Sequence, residues 1–110
     1  MSIPSTYLAH ENDYRSLVSE FLLSKMDPNV FVERYFALWK RDRDAQWDFV
    51  HQQGHALNPH EQRLCKFLDK IFILCDGYRD KPEQWHELSE TQLREEVGLT
   101  AKECWSSDGA

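Results

Sequence analysis

Apolar positions recur along most of this chain every three or four residues, the spacing of one face of an α-helix. The first such stripe predicts a helix that ends near Lys25. Its members are Tyr14, Leu17, Val18, Phe21 and Leu22. No stretch alternates between apolar and polar positions for long, so the pattern offers no competing strand.

A second predicted helix begins at Asp27-Pro28, because Asp is a good N-cap and Pro suits the first helical position. It runs to about Asp44, and its apolar face comprises Phe31, Tyr35, Leu38 and Trp39, widened by Val32 and Phe36. The alternating charges from Lys40 to Asp44 predict a solvated helix end. The stretch from Ala45 to Leu57 is less regular and either prolongs this helix or forms a turn.

Asn58-Pro59-His60-Glu61 predicts the start of a third helix, with an N-cap, Pro at the first position and Glu three residues after the cap. The helix ends near Asp76-Gly77, where Gly tolerates the left-handed conformation. It is the most apolar segment, so we expect it at the centre of a bundle. Its apolar residues are Leu64, Phe67, Leu68, Ile71, Phe72, Leu74 and Cys75.

The segment from Tyr78 to Leu88 predicts an ordered loop or a short turn with Trp85 and Leu88 directed inwards. A second capping box, at residues 89–92, opens a fourth helix that either ends at Gly98 or continues to Trp105. The fold expected is all-α, a compact antiparallel four-helix bundle. It would form one domain over residues 1–110, with 1–9 and 106–110 frayed.

Composition narrows the class of protein. The 110 residues are 41% hydrophobic and 29% charged, which fits one small globular domain. The formal charge of −6 argues against a general nucleic-acid or anionic-membrane binder, since both need a basic face. We find no signal-peptide pattern and no apolar run long enough to cross a membrane, so the expected location is the cytoplasm.

Catalytic motifs are absent from the sequence, which predicts neither an enzyme nor a cofactor. The three cysteines lack CxxC spacing and are interpreted as buried structural thiols. His51, His55 and His60 offer the alternative of a small metal-dependent enzyme, since imidazoles four residues apart on a helix can bind zinc. Solvated loop histidines are the simpler interpretation.

Acidic residues are unevenly distributed. Residues 1–57 hold eight acids and six Lys/Arg, whereas residues 58–110 hold eleven acids and seven Lys/Arg. The excess gathers between positions 76 and 96, at Asp76, Asp80, Glu83, Glu87, Glu90, Glu95 and Glu96. Tyr78 and Trp85 are interleaved with these carboxylates. This composition suits either an interface with a basic protein or an ordinary acidic surface.

Several segments, taken in order and spacing, resemble the colicin D immunity protein family, which includes the immunity partners of contact-dependent growth-inhibition toxins. They are Phe21-Leu22, Phe31-Val32-Glu33-Arg34-Tyr35-Phe36, Trp39 with Asp42-Arg43-Asp44, Leu68-Asp69-Lys70-Ile71-Phe72, Asp76-Gly77-Tyr78 with Asp80 and Pro82, and Leu93-Arg94-Glu95-Glu96-Val97. The turn after the first helix departs from the family, which usually has a Gly where this chain has residues 24–27. The segment from Trp47 to Pro59 also fits the pattern poorly.

The resemblance implies a cytoplasmic helical inhibitor that binds one cognate toxin domain, often a ribonuclease that cuts tRNA, with no direct contact to nucleic acid, membrane or a small-molecule substrate. It carries a toxin-binding role to Asp69, Asp76, Tyr78 and Asp80. Glu83 and Glu87 are added by proximity and charge only. The alternative function is an acidic helical adaptor or antitoxin for an unrelated protein.

Overall fold

The computed structural model describes residues 6–52 and 58–105, without the side chains of Val50 and Gln52. This part of the chain folds into helices and contains no β-strand, which confirms the all-α class. The helices are α1 (Thr6–Ala9), α2 (Glu11–Leu22), α3 (Pro28–Gln52), α4 (Pro59–Gly77) and α5 (Glu90–Trp105).

The four long helices surround a shared core. Helix α2 packs on α3 and α5, and α4 likewise packs on α3 and α5. The short helix α1 lies against α3 and α4. This is the arrangement of a four-helix bundle with one additional turn of helix at its N-terminal side, and it measures 47 × 32 × 23 Å.

The predicted capping signals operate at the starts of α3 and α4. The Asp27 carboxylate accepts the backbone N–H of Asn29 at 2.9 Å. At α4 the exchange is reciprocal: Asn58 Oδ1 accepts the N–H of Glu61 at 2.8 Å, and the Glu61 carboxylate accepts the N–H of Asn58 at 3.2 Å. Because these hydrogen bonds join residues within one turn, short-range sequence pattern was sufficient to locate both helix starts.

The capping box before α5 also forms, with Ser89 Oγ accepting the N–H of Gln92 at 3.2 Å and the Gln92 side chain accepting the N–H of Ser89 at 2.9 Å. Of the two alternatives left open by Gly98, the structure shows the longer one. Helix α5 continues through Gly98 to Trp105, because Val97, Thr100 and Cys104 keep a buried face beyond the glycine.

The core is built mainly from the predicted stripes. Its buried members are Tyr7, Tyr14, Leu17, Val18, Phe21, Met26, Phe31, Tyr35, Leu64, Phe67, Leu68, Ile71, Cys75, Tyr78, Leu93, Val97 and Cys104. The rings of Phe21 and Phe31 stack with centroids 4.1 Å apart, joining α2 to α3. The Tyr35 hydroxyl donates to the backbone oxygen of Leu68 at 2.6 Å, so its buried polar atom is satisfied within the core.

Two helix boundaries differ from the expectation. Helix α2 ends at Leu22 rather than near Lys25, and α3 extends past Asp44 to Gln52. The extension resolves the open question about Trp47, which lies within α3 with 59% of its surface exposed. The helix continues because the side chain of Gln46 is buried, where its Oε1 accepts a hydrogen bond from the backbone N–H of Tyr7 at 2.9 Å.

That contact also corrects the expectation that residues 1–9 are frayed. Residues 6–9 form α1, and Tyr7 is buried with its ring edge against Tyr14, the centroids 6.1 Å apart. A four-residue helix has too short a pattern to be recognised in sequence, and a contact across 39 residues fixes it here. Residues 1–5 and 106–110 lie outside the described part of the chain.

Asp42 is the largest departure from the predicted solvated helix end, because its side chain is only 1% exposed. Its carboxylate accepts the Tyr14 hydroxyl at 2.7 Å and two guanidinium bonds from Arg41 at 2.7 and 2.8 Å. The ring nitrogen Nδ1 of His10 lies 3.0 Å from the same carboxylate. Burial by itself acts to raise the pKa of Asp42, but the bonds from Arg41 and Tyr14 outweigh it and the pKa is lowered.

The turn after α2 is closed by a Schellman motif that contains a non-glycine residue in the left-handed conformation. The N–H of Lys25 donates to Glu20 O at 3.0 Å, the N–H of Ser24 donates to Phe21 O at 3.1 Å, and Ser24 has φ = 60°. Arg94 supports the turn by donating from its guanidinium to the carbonyl oxygens of Phe21 and Met26. Ser24 therefore holds a left-handed conformation that glycine adopts with the least strain.

We expect Asp42→Asn to lower the free energy of unfolding by about 2–3 kcal/mol, because the buried carboxylate loses the charge that Arg41 and the Tyr14 hydroxyl stabilise. The depressed pKa means that the wild-type carboxylate stabilises the fold at neutral pH and that this contribution is lost as the pH falls through the folded-state pKa. Urea unfolding between pH 7 and pH 3 measures both effects. Asp44→Asn is the control, since that side chain is 79% exposed; an equal loss in both variants would contradict the prediction.

We expect Ser24→Gly to raise the free energy of unfolding by about 0.5–1 kcal/mol, because glycine removes the left-handed penalty but adds freedom to the unfolded chain. Ser24→Ala keeps the penalty and serves as the matched control. Chemical denaturation of the three proteins at one pH measures the difference. Equal stability of the glycine and alanine variants would show that the turn carries no strain.

Candidate interaction surface

The connection between α4 and α5, residues 78–89, is here called the acidic loop. Its two ends are joined by backbone hydrogen bonds: the N–H of Leu88 donates to Gly77 O and the N–H of Arg79 donates to Leu88 O, each at 2.9 Å. Tyr78 and Leu88 thus form an isolated parallel bridge, and both pack into the core. The prediction of an ordered loop is confirmed at its base.

Glu87 fixes the far end of the loop. Its carboxylate accepts the backbone N–H groups of Glu83 at 2.8 Å and Gln84 at 2.9 Å, and it also pairs with Arg79 at 3.3 Å. The two backbone hydrogen bonds lower the pKa of Glu87, with the charge of Arg79 acting in the same direction. The backbone of the turn is therefore held by a carboxylate that stays ionised at neutral pH.

Four of the predicted site residues are exposed, and together they are here called the acidic face: Asp69, Asp76, Asp80 and Glu83. Asp69 and Asp76 are seven residues apart on α4, so they share one side of the helix about 10 Å apart. Within the described part of the chain, no ion pair engages these four carboxylates. Desolvation raises the pKa of Asp69, and the neighbouring indole of Trp39 partly offsets that rise.

The other two predicted site residues occupy structural positions. Tyr78 is buried, with 8% of its surface exposed, and Glu87 uses its carboxylate to hold the turn. The family resemblance supplied Asp69, Asp76, Tyr78 and Asp80, and proximity and charge added Glu83 and Glu87. The distinction between exposed carboxylates and supporting residues depends on the path of the loop, which the charge pattern does not contain.

Trp85 contradicts the expectation that it is directed inwards, since its side chain is 94% exposed. The turn held by Glu87 lies beyond the packed base of the loop, and residues 79–86 are all exposed. Leu88, the other residue expected inside, does pack against the core. Tyr78 and Leu88, at the base of the loop, therefore pack against the core, and the indole of Trp85 remains in solvent.

The histidines of the metal hypothesis are dispersed. His60 Nε2 lies 2.8 Å from Glu11 Oε2, which also accepts the indole N–H of Trp105 at 2.7 Å. His51 stacks on Trp47 with ring centroids 3.9 Å apart, and His55 lies outside the described residues. Among residues 6–52 and 58–105, no group of three or more His, Cys, Asp or Glu side chains is placed to hold a metal ion.

The cysteines are free thiols: Cys75 and Cys104 are buried, and Cys65 is half-buried beside the amide of Gln46. Burial raises the pKa of Cys65 to about 11, of Cys75 to about 12 and of Cys104 to about 11. These thiols are protonated at neutral pH and therefore poor nucleophiles. The structural interpretation of the cysteines is consistent with their surroundings.

No helix in the described part of the chain has both the length and the apolar character needed to cross a membrane.

Comparison with known proteins identifies the class. A family model described as bacterial self-protective colicin-like immunity matches residues 11–102, from the start of α2 to the last turn of α5. The chain therefore belongs to the colicin-like immunity family. Searches of curated proteins and of solved structures found no match.

Proposed function

We propose that this immunity protein neutralises a nuclease toxin domain, specifically a tRNA-cleaving ribonuclease, by binding it one-to-one through the acidic face. Membership of the family supports a self-protective role against a toxin. The observation that carries the finer proposal is the set of four exposed carboxylates on α4 and the acidic loop. Inhibition by binding needs neither a cofactor nor catalysis.

Electrostatics favour a nuclease as the partner. A ribonuclease active site holds phosphates with cationic side chains, so carboxylates placed at the same positions meet the same complementary charge. The net charge of −6 adds a long-range attraction that increases the rate of encounter. Fast association suits a protein that must intercept an enzyme before it cuts its substrate.

Within this proposal the six predicted residues have two roles. Asp69, Asp76, Asp80 and Glu83 contact the toxin. Glu87 holds the turn that presents Glu83, and Tyr78 anchors the base of the loop in the core. Because tRNA is a cytoplasmic substrate, the complex forms in the cytoplasm, and contact-dependent growth inhibition is one setting in which such a toxin arrives.

Coexpression with the toxin domain encoded immediately upstream tests the proposed function. We expect the chain to restore growth of cells that express the toxin and to copurify with it in equal amounts. The intact length of cellular tRNA, measured on denaturing gels, reports whether the toxin is a tRNA nuclease. Protection with a toxin of another chemistry would retain the immunity role and overturn the nuclease; absence of protection and complex would favour the adaptor alternative.

Charge reversal tests the acidic face. We expect Asp76→Lys combined with Asp80→Lys to lower the association rate constant about tenfold or more and to weaken its dependence on salt, because steering by these carboxylates is lost. Stopped-flow mixing with the purified toxin domain at several salt concentrations measures this. Helical content should be unchanged, since a cation is favourable in the last turn of α4.

The matched control is Glu20→Lys combined with Glu95→Lys, which changes the net charge by the same amount on α2 and α5. It should slow association much less. If both double variants slow association equally, only the total charge matters and the acidic face is not the binding site.

A further inference from the structure

No packing contact in the described part of the chain explains why a tryptophan occupies position 85. Within the described part of the chain, its indole contacts the ring of its neighbour His86, at a centroid distance of 5.5 Å. The other tryptophans have partners farther away in sequence or on their own helix: Trp39 stacks on Phe72, Trp105 packs against Phe67, and Trp47 stacks within α3. The indole of Trp85 is 94% exposed, so the fold does not use it in packing.

The backbone that carries Trp85 is nevertheless fixed. Glu87 holds the N–H groups of the two residues before Trp85, and the N–H of Glu87 donates to Gln84 O at 3.0 Å. Arg79 donates to the backbone oxygens of Asp76 and Tyr78 at 2.9 and 2.7 Å, which holds the start of the loop. A preorganised loop loses little conformational entropy when it binds, so more of the interaction energy of the indole is retained as affinity.

The surroundings of the indole indicate the kind of partner. Exposed carboxylates of Asp80 and Glu83 precede it on the same loop, so the aromatic group shares this loop with two members of the acidic face. A platform that stacks bases of single-stranded nucleic acid needs a basic groove, and an anionic membrane surface would repel these charges. An aromatic side chain beside carboxylates suits a pocket on a basic protein.

We propose that Trp85 is the anchor of the toxin complex: its indole enters an apolar pocket on the basic toxin domain and sets the lifetime of the complex, while the acidic face sets the rate of encounter. This inference rests on the proposed function. A buried tryptophan at the centre of an interface is a common hot spot, surrounded by charged residues that affect association more than dissociation.

The test measures the two rate constants separately with the purified upstream-encoded toxin domain. Trp85→Ala should raise the dissociation rate constant at least 30-fold, leave the association rate constant within threefold and preserve its salt dependence. Trp85→Phe should recover most of the lifetime, because a ring still fills the pocket. Leu23→Ala, which removes an apolar side chain 66% exposed outside the loop, is the control and should change neither rate constant.

Two further measurements separate anchoring from a structural effect. Thermal unfolding of Trp85→Ala should match the wild type, since the exposed indole stabilises no helix. The blue shift of tryptophan fluorescence on complex formation should be largely lost in Trp85→Phe. Glu87→Gln keeps the indole but weakens the acceptor for two N–H groups, so it should reduce affinity several-fold through the loop alone.

The outcomes distinguish this inference from the proposed function. A wild-type dissociation rate for Trp85→Ala, together with slowed association for the Asp76 and Asp80 reversal, overturns the anchor and retains the acidic face. Tight binding by the wild type with no effect of either change overturns both surfaces. Absence of a wild-type complex overturns the proposed function, and the anchor with it.

Discussion

The burial of one carboxylate constrains the rest of the bundle. Asp42 is charged and almost inaccessible to water, so it is tolerable only where Tyr14, Arg41 and His10 supply partners at once. That requirement fixes how α2 lies along α3. Glu11 joins α2 to α4 and α5 in a similar way. Its carboxylate lies within hydrogen-bond distance of His60 of α4 and accepts the indole N–H of Trp105 of α5. The two acids join all four long helices.

These acids change the meaning of the net charge. The formal value of −6 counts Asp42 and Glu11 with the exposed carboxylates, although the first two are committed to holding the fold. Under the proposed function, the charge that the toxin meets is the part directed outwards on α4 and the acidic loop. Acidic residues thus perform two tasks in this small protein, and the hydrogen bonds that a carboxylate makes within the fold separate the first task from the second.

The sequence was informative wherever the relevant partners are close along the chain. The caps of α3, α4 and α5 and the buried stripes were predicted because each depends on residues a turn apart. The burial of Asp42 was missed because Tyr14, its partner, is 28 residues away. At the candidate site, the family resemblance and the charge pattern together named the acidic residues, but the outward position of Trp85 depends on a turn that Glu87 closes through backbone N–H groups. Helix α1 was missed for the same reason as Asp42.

The base of the acidic loop has a consequence for how such a protein diversifies. The bonds among Gly77, Arg79 and Leu88 that close it run between backbone atoms, so they do not depend on which side chains occupy the intervening positions. Substitutions at the exposed positions 80–86 therefore leave this closure of the loop in place. Under the proposed function, a lineage that faces a changing toxin can alter its recognition surface in small steps without rebuilding the helices beneath it.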